Sequence, residues 1–281
     1  MMNMEKYAVL GYPLKHTMSP PIHKRLFELE GKAAEYEICE CPPEELTNRL
    51  DYLNSLGGYN ITIPFKVDII QHIDQLDDSA RRYNSVNCVV NRDGIRTGYN
   101  TDCYGFLRSL EAGGASLDGK VLQIGCGGVG RMMAIEAALH GADLTIVALP
   151  EFVKGAEDTA AEAVKLNPGA QIKVITHEQI SGDFDLLVNA SPVGMFPKVD
   201  ECPVTEQVIK SCKSVFDVIY NPNVTQLMAA AEKNGIKAIG GMAMLVWQAV
   251  VAHEIWSGAK YRDEDIEQLI RDMEKALAQS R

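Results

Sequence analysis

The stretch Val121-Leu122-Gln123-Ile124-Gly125-Cys126-Gly127-Gly128-Val129-Gly130-Arg131 decides the fold. A short strand, Val121–Ile124, runs straight into a GxGxxG pattern, and a helical stretch, Arg131–His140, follows it. Glycines in this place let the backbone turn sharply and approach a pyrophosphate, which then sits on a helix N-terminus. A plain strand-to-helix turn with glycines for packing is the other reading. The strand–loop–helix context favours a dinucleotide held by Gly125, Gly127, Gly128, Val129 and Gly130.

Outward from this loop the pattern repeats. Strands are expected at Leu144–Ala148, Ile172–Thr176, Leu186–Ala190 and Val215–Tyr220, with helices at Glu151–Leu166 and Gln226–Asn234 between them. Alternation of this kind predicts a Rossmann-type doubly wound sheet. Upstream, strands at Tyr7–Gly11, Tyr36–Cys41, Tyr59–Ile63 and Val86–Asn91 alternate with helices at Pro20–Glu30 and Glu44–Leu56, a second α/β unit. A helix from Asp102 ends near Gly113-Gly114, and the chain closes with helices Met242–Trp256 and Asp263–Ala278. The expected division is a substrate domain of 1–101 with 241–281 and an NAD(P)-binding domain of 102–240. Substrate is expected in a cleft between them, with a hinge at the two crossings.

Length and composition bound the function. A chain of 281 residues suits two domains, and 46% hydrophobic against 23% charged residues argues against disorder. A net charge of -11 repels phosphate backbones and anionic lipid, so neither nucleic acid nor membrane is an expected partner. Seven cysteines without a CxxC pair give no disulfide framework, and the scattered histidines show no metal spacing, so no metal is expected. Residues 1–6 lack a secretory signature, and the longest apolar stretch, Gly241–Ala252, is too short to span a bilayer. A soluble, cytoplasmic protein is expected, as a monomer or homodimer.

The second strand of the nucleotide unit should end in an acid that binds the ribose of NAD, or precede an arginine for the extra phosphate of NADP. Here it ends Val147-Ala148-Leu149-Pro150-Glu151. Glu151 could reach the ribose, and Lys154 is the nearby cation; both could equally be solvated residues at a helix start. Without an arginine fork the expectation tilts to NAD.

Polar residues of the first unit cluster at strand ends: Lys66 after Asn60-Ile61-Thr62-Ile63-Pro64-Phe65, Asn87 in Ser85-Val86-Asn87, and Asp102 after Asn100-Thr101. Singly, each has an ordinary explanation. Lys66 could be solvated, Asp102 and Ser19 could cap helices, and Asn87 and Asn100 could form turns. Jointly, these segments resemble the shikimate dehydrogenase family. Gly11-Tyr12-Pro13, His16-Thr17-Met18-Ser19-Pro20, Gly98-Tyr99-Asn100-Thr101-Asp102, the glycine loop, Asp217-Val218-Ile219-Tyr220-Asn221-Pro222 with Thr225 and Leu227, and Gly241-Met242 through Gln248-Ala249 extend the likeness over nearly the whole chain.

The resemblance implies reversible reduction of 3-dehydroshikimate to shikimate with NADP or NAD, a step towards aromatic amino acids, with quinate as the alternative substrate. It puts Lys66 and Asp102 on the catalytic pair. Thr17 and Ser19 fall on the hydroxyls that hold the substrate carboxylate. Thr62, Asn87 and Gln248 fall on partners of the ring hydroxyls, Tyr220 lies near substrate and nicotinamide, and Gly241 belongs to the cofactor set. Three departures stand out. Thr17 replaces a serine, Cys88 follows Asn87 in place of threonine, and Ala148-Leu149-Pro150 replaces the Asn-Arg-Thr segment that contacts the NADP phosphate. Rival readings are a non-catalytic dinucleotide and shikimate sensor, against which retention of Lys66 and Asp102 argues, and a folate or aminoshikimate dehydrogenase on the same scaffold.

Lysine is suited to this chemistry. Interconverting a ketone and a secondary alcohol needs a group that exchanges the hydroxyl proton, and a carboxylate that orients it.

Overall fold

The molecule is described by a computed structural model that covers residues 4–15 and 17–279; His16 of the quoted motif lies outside the described residues. The chain forms two compact units, Met1–Gly105 with Leu245–Met273, and Phe106–Met244 with Glu274–Arg281. The divisions fall inside helices, four residues beyond the expected 101/102 and 240/241, and residues 274–281 group with the second unit.

The first unit holds strands β1 (Glu5–Gly11), β2 (Ala34–Glu40), β3 (Gly58–Ile61), β4 (Gln75–Leu76), β5 (Cys88–Arg92) and β6 (Ile95–Tyr99), and helices α1 (Ser19–Glu30), α2 (Leu46–Ser55), α3 (Asp78–Tyr83) and the start of α4 (Asp102–Ala112). The sheet order is β2-β1-β3-β5-β6-β4, with β1 parallel to both neighbours and β5 antiparallel to β3 and β6. Tyr7–Gly11 is an unbroken buried run, as a strand covered on both faces requires. Pro20 and Pro21 occupy the first turn of α1, where an N–H is dispensable, and Gly31 caps its other end. One face of the sheet packs Leu53, Tyr59, Phe65 and Ile69. The other packs Tyr7, Phe27 and Cys88 with Trp256.

Strand β6 has no counterpart in the sequence expectation. Ile-Arg-Thr-Gly-Tyr offers no apolar run, and the strand is sustained by its ladders to β5 and β4. Its signal lay in the two-residue Asp93-Gly94 turn, where both residues take positive φ as a tight hairpin demands. Strand β5 begins at Cys88, two residues later than expected, because the Val86 N–H is taken by the Lys66 carbonyl.

The second unit holds β7 (Lys120–Ile124), β8 (Asp143–Val147), β9 (Gln171–Ile175), β10 (Phe184–Asn189), β11 (Cys212–Asp217) and β12 (Lys237–Gly240), with helices α5 (Gly128–Leu139), α6 (Val153–Leu166), α7 (Glu206–Lys210) and α8 (Gln226–Lys233). All six strands are parallel, in the order β12-β11-β10-β7-β8-β9. Strand order reverses direction between β7 and β10, so the crevice at their carboxyl ends is the place where such sheets bind ligands. Helix α5 starts at Gly128, three residues before the expected Arg131, because the end of the glycine loop forms its first turn. Strand β11 stops at Asp217, short of the expected Tyr220, because the Asp217 carboxylate accepts the Ile219 N–H and turns the chain.

Two helices finish the chain. Helix α9 (Gly241–Ser257) buries Val246, Ala249, Val250 and Ala252. Helix α10 (Asp263–Gln279) opens with Asp263, Glu264 and Asp265, which complement its dipole. No helix among the described residues is long and apolar enough to cross a membrane.

Candidate active site

In the first unit, the Lys66 loop is planted by its neighbour. Phe65 is completely buried, and its N–H donates to the Thr62 carbonyl at 3.1 Å. That fixes Lys66 beside the start of α4, where Lys66 Nζ donates to Asp102 Oδ2 at 2.6 Å. The side chains are 25% and 16% exposed, open enough for a small molecule to reach. Asp102 sits in the first turn of α4, where a carboxylate is favoured by the helix dipole.

The other oxygen of Asp102 is also held. Asn87 Nδ2 donates to Asp102 Oδ1 at 2.8 Å, while Asn87 Oδ1 accepts the Thr101 N–H at 2.6 Å. Thr101 Oγ1 lies 3.1 Å from Asn87 Nδ2 and 3.2 Å from Gln248 Oε1, and Gln248 Nε2 donates to the Leu245 carbonyl at 2.9 Å. Lys66, Asp102, Asn87 and Gln248 are thus brought into one hydrogen-bonded chain. Thr101, fully buried, is the link that residue-type reasoning missed, since a threonine ahead of a helix reads as a cap.

Thr17 and Ser19 adjoin at the start of α1, where the Ser19 N–H donates to Thr17 Oγ1 at 3.3 Å. The helix is capped at Met18, so Ser19 is its first residue and not its N-cap. The half-buried Thr62 is tied to β1 through its N–H, which donates to the Leu10 carbonyl at 2.8 Å.

In the second unit, the glycine loop lies at the carboxyl end of β7. Gly125 has φ +86°, and Gly130 packs so closely that a Cβ would stand 2.9 Å from the Gly125 carbonyl oxygen and 3.2 Å from Ala190 Cβ. At Gly127 and Gly128 a Cβ would meet nothing within 4 Å. The loop therefore combines a tight turn and close helix packing with an open cradle at the N-terminus of α5, a fit to a dinucleotide pyrophosphate. Buried Gln123, which the sequence reading also passed over, braces it from below.

Beyond β8, Glu151 is exposed in the turn Pro150–Phe152, and Lys154 forms an exposed ion pair with Asp158. Arg131 forks onto Glu162 at 2.8 and 2.5 Å. Tyr220 helps line a groove of about 330 Å3 with Ser191, Met195, Phe196 and Ile219, and burial raises its phenol above the usual range. Asp217, at the end of β11, accepts from Asn189 Nδ2, Ile219 N and Thr225 Oγ1 and thereby pins the strand ends behind this groove. Burial still pushes its carboxyl up to about 6. Gly241 has a packing role, since a Cβ there would stand 2.1 Å from the Val218 carbonyl oxygen. Tyr220, Gly241 and the glycine loop belong to the second unit; the other named residues of the expected substrate site belong to the first.

A mixed-sheet unit joined to a Rossmann-type sheet with a glycine loop at its switch point defines a two-unit NAD(P)-dependent oxidoreductase. The family model for the shikimate dehydrogenase substrate binding domain matches residues 9–89. The shikimate dehydrogenase (NADP(+)) of Caldanaerobacter subterraneus subsp. tengcongensis is 33% identical over 270 residues, 94% of this chain and 96% of its own. A solved shikimate 5-dehydrogenase of Thermus thermophilus, in complex with NADP(H) and shikimate, superposes with a TM-score of 0.85 at 30% identity, covering 96% of this chain and 100% of that one. Its counterpart from Listeria monocytogenes, in complex with shikimate and NAD, gives 0.86 at 28%, covering 96% and 97%. The chain belongs to the shikimate dehydrogenase family.

Proposed function

We propose that the protein interconverts 3-dehydroshikimate and shikimate, with NAD preferred to NADP, in the cytoplasm. The observation that carries the reading is the Lys66–Asp102–Asn87 chain, a partly exposed lysine with its carboxylate partner held at both oxygens. The first unit is the substrate-binding one and the second the dinucleotide-binding one. Five of the seven free cysteines are buried, which suits a reducing compartment.

The nicotinamide, when bound, supplies or accepts the hydride. Lys66 donates a proton from Nζ to the ketone oxygen in reduction and takes it back in oxidation. Asp102 keeps the ammonium aimed, and Asn87 keeps Asp102 from rotating. Thr17 and Ser19 hold the substrate carboxylate with their hydroxyls, and Thr62 and Gln248 meet the ring hydroxyls. Tyr220 and the Gly241 backbone serve the dinucleotide-binding unit. Gly125, Gly127, Gly128, Val129 and Gly130 hold the pyrophosphate.

Cation pairing supports the NAD preference. Ala148, Leu149 and Pro150 offer no charge, Lys154 is matched by Asp158, and Arg131 is matched by Glu162, while Glu151 supplies a carboxylate for the ribose. A kinetic matrix of shikimate and quinate against NAD and NADP tests the whole reading. The expected result is highest kcat/KM for shikimate with NAD, at least about tenfold above NADP. Faster turnover of quinate overturns the substrate, preference for NADP overturns the cofactor, and no turnover in any cell overturns the activity.

A further inference from the structure

Gln123 is a polar residue in a strand of Val121, Leu122 and Ile124, and it is only 1% exposed. A primary amide buried there is costly unless its hydrogens are bonded. Both are accounted for by one pair of acceptors: Nε2 donates to the Gly125 carbonyl at 2.9 Å and to the Gly130 carbonyl at 2.8 Å. These are the first and last glycines of the loop, so one side chain ties the two ends together.

The tie has a directional consequence. In a planar trans peptide the C=O and the following N–H point in opposite directions. With the Gly125 carbonyl held towards Gln123, the Cys126 N–H is turned the other way. An apolar residue at 123 would leave the Gly125 carbonyl free to rotate and would remove that constraint, while the rest of the sheet kept its packing. The Gly125 N–H, which donates to the Val147 carbonyl at 2.9 Å, anchors only the near side of the turn.

We propose that Gln123 is a positioning residue for dinucleotide binding, which fixes the glycine loop in the conformation that receives the pyrophosphate. The inference rests on the reading of this loop as the dinucleotide site. It concerns affinity for the cofactor, not the proton transfer at Lys66, so its signature is a separation of binding from turnover.

The test compares the wild-type protein with Gln123→Leu, Gln123→Met and Gln123→Asn. Dissociation constants for NADH and NADPH are measured by calorimetry, alongside kcat at saturating cofactor, KM for shikimate, the thermal midpoint, and hydrogen exchange of the loop amides without ligand. For Leu and Met, loss of both bonds should raise the preferred dinucleotide's dissociation constant about tenfold and speed exchange at residues 125–131. Asn, one methylene shorter, should fall between them and wild type. Shikimate KM and kcat should stay within about twofold. Affinities within about twofold of wild type in both Leu and Met overturn the proposal. So does a parallel collapse of cofactor affinity, shikimate KM and thermal midpoint in all three variants, which would mark a purely structural role. If wild type itself binds neither dinucleotide, the reading of the loop fails first and the proposal with it.

Discussion

Lys66 and Asp102, thirty-six positions apart, meet at 2.6 Å, and the second oxygen of Asp102 is held at 2.8 Å by Asn87. A carboxylate bound at both oxygens cannot swing, so the ammonium it accepts from is aimed as well. Geometry of this kind serves a proton transfer better than it serves stability, because a partly exposed ion pair contributes little to folding.

Lys66→Met should therefore lower kcat by about 10²- to 10⁴-fold while the dissociation constant for shikimate changes far less. Single-turnover kinetics together with equilibrium binding would separate the two effects. Near-normal turnover would remove Lys66 from the reaction.

Asn87→Ala should act on both function and fold. It frees Asp102 to rotate and strips the buried Thr101 N–H of its acceptor, a loss of about 1–3 kcal/mol in unfolding free energy. Urea unfolding checks the stability, and kcat for Asn87→Ala should fall towards that of Asp102→Asn.

Two glycines of the loop should behave oppositely. Gly130→Ala drives a methyl group to 2.9 Å from a backbone oxygen and should destabilise the protein by about 1–3 kcal/mol. Gly127→Ala meets open space and should leave stability within about 1 kcal/mol, while dinucleotide affinity drops as the methyl group enters the cradle. Thermal melts with and without NADH distinguish the two.

Stability should respond to pH through two buried groups of opposite sign. Burial holds His23 well below its usual 6.5, so its neutral form favours folding above that pH, and stability falls as acid protonates the unfolded chain. His23→Gln should flatten this acid slope. Asp217 is raised from 3.8 to about 6, so its folded form retains a proton that the unfolded form has lost. Its contribution therefore declines as pH rises from about 4 to about 6, and Asp217→Asn should remove that decline. Unfolding free energies from pH 4 to 8 for the three proteins would show both effects.

Patterns of near neighbours were legible in the amino-acid order. The glycine loop with its strand and helix identified the parallel sheet, because a tight turn, a close approach and a helix start are local demands on residue type. Lys66, Asn87 and Asp102 could be named as candidates, but each also had an ordinary explanation as a solvated, turn or capping residue. Helix α5 and strand β11 were foreseen with their ends displaced, since side chains and turns at the ends decide where pairing stops.

Other features came only with the tertiary structure. Strand β6 is sustained by pairing with β5 and β4; Ile-Arg-Thr-Gly-Tyr does not announce it, and the one local signal is the Asp93-Gly94 turn ahead of it. Thr101 and Gln123 acquired roles only when their partners, far off in the first case and across a turn in the second, were brought to hydrogen-bonding distance. Residue type and spacing by themselves determined the parallel sheet, and the resemblance carried by the separated motifs named the candidate acid–base pair. The aim of that pair, and the bracing of the loop, depend on buried hydrogen bonds, and those are specified by the fold that closes around them.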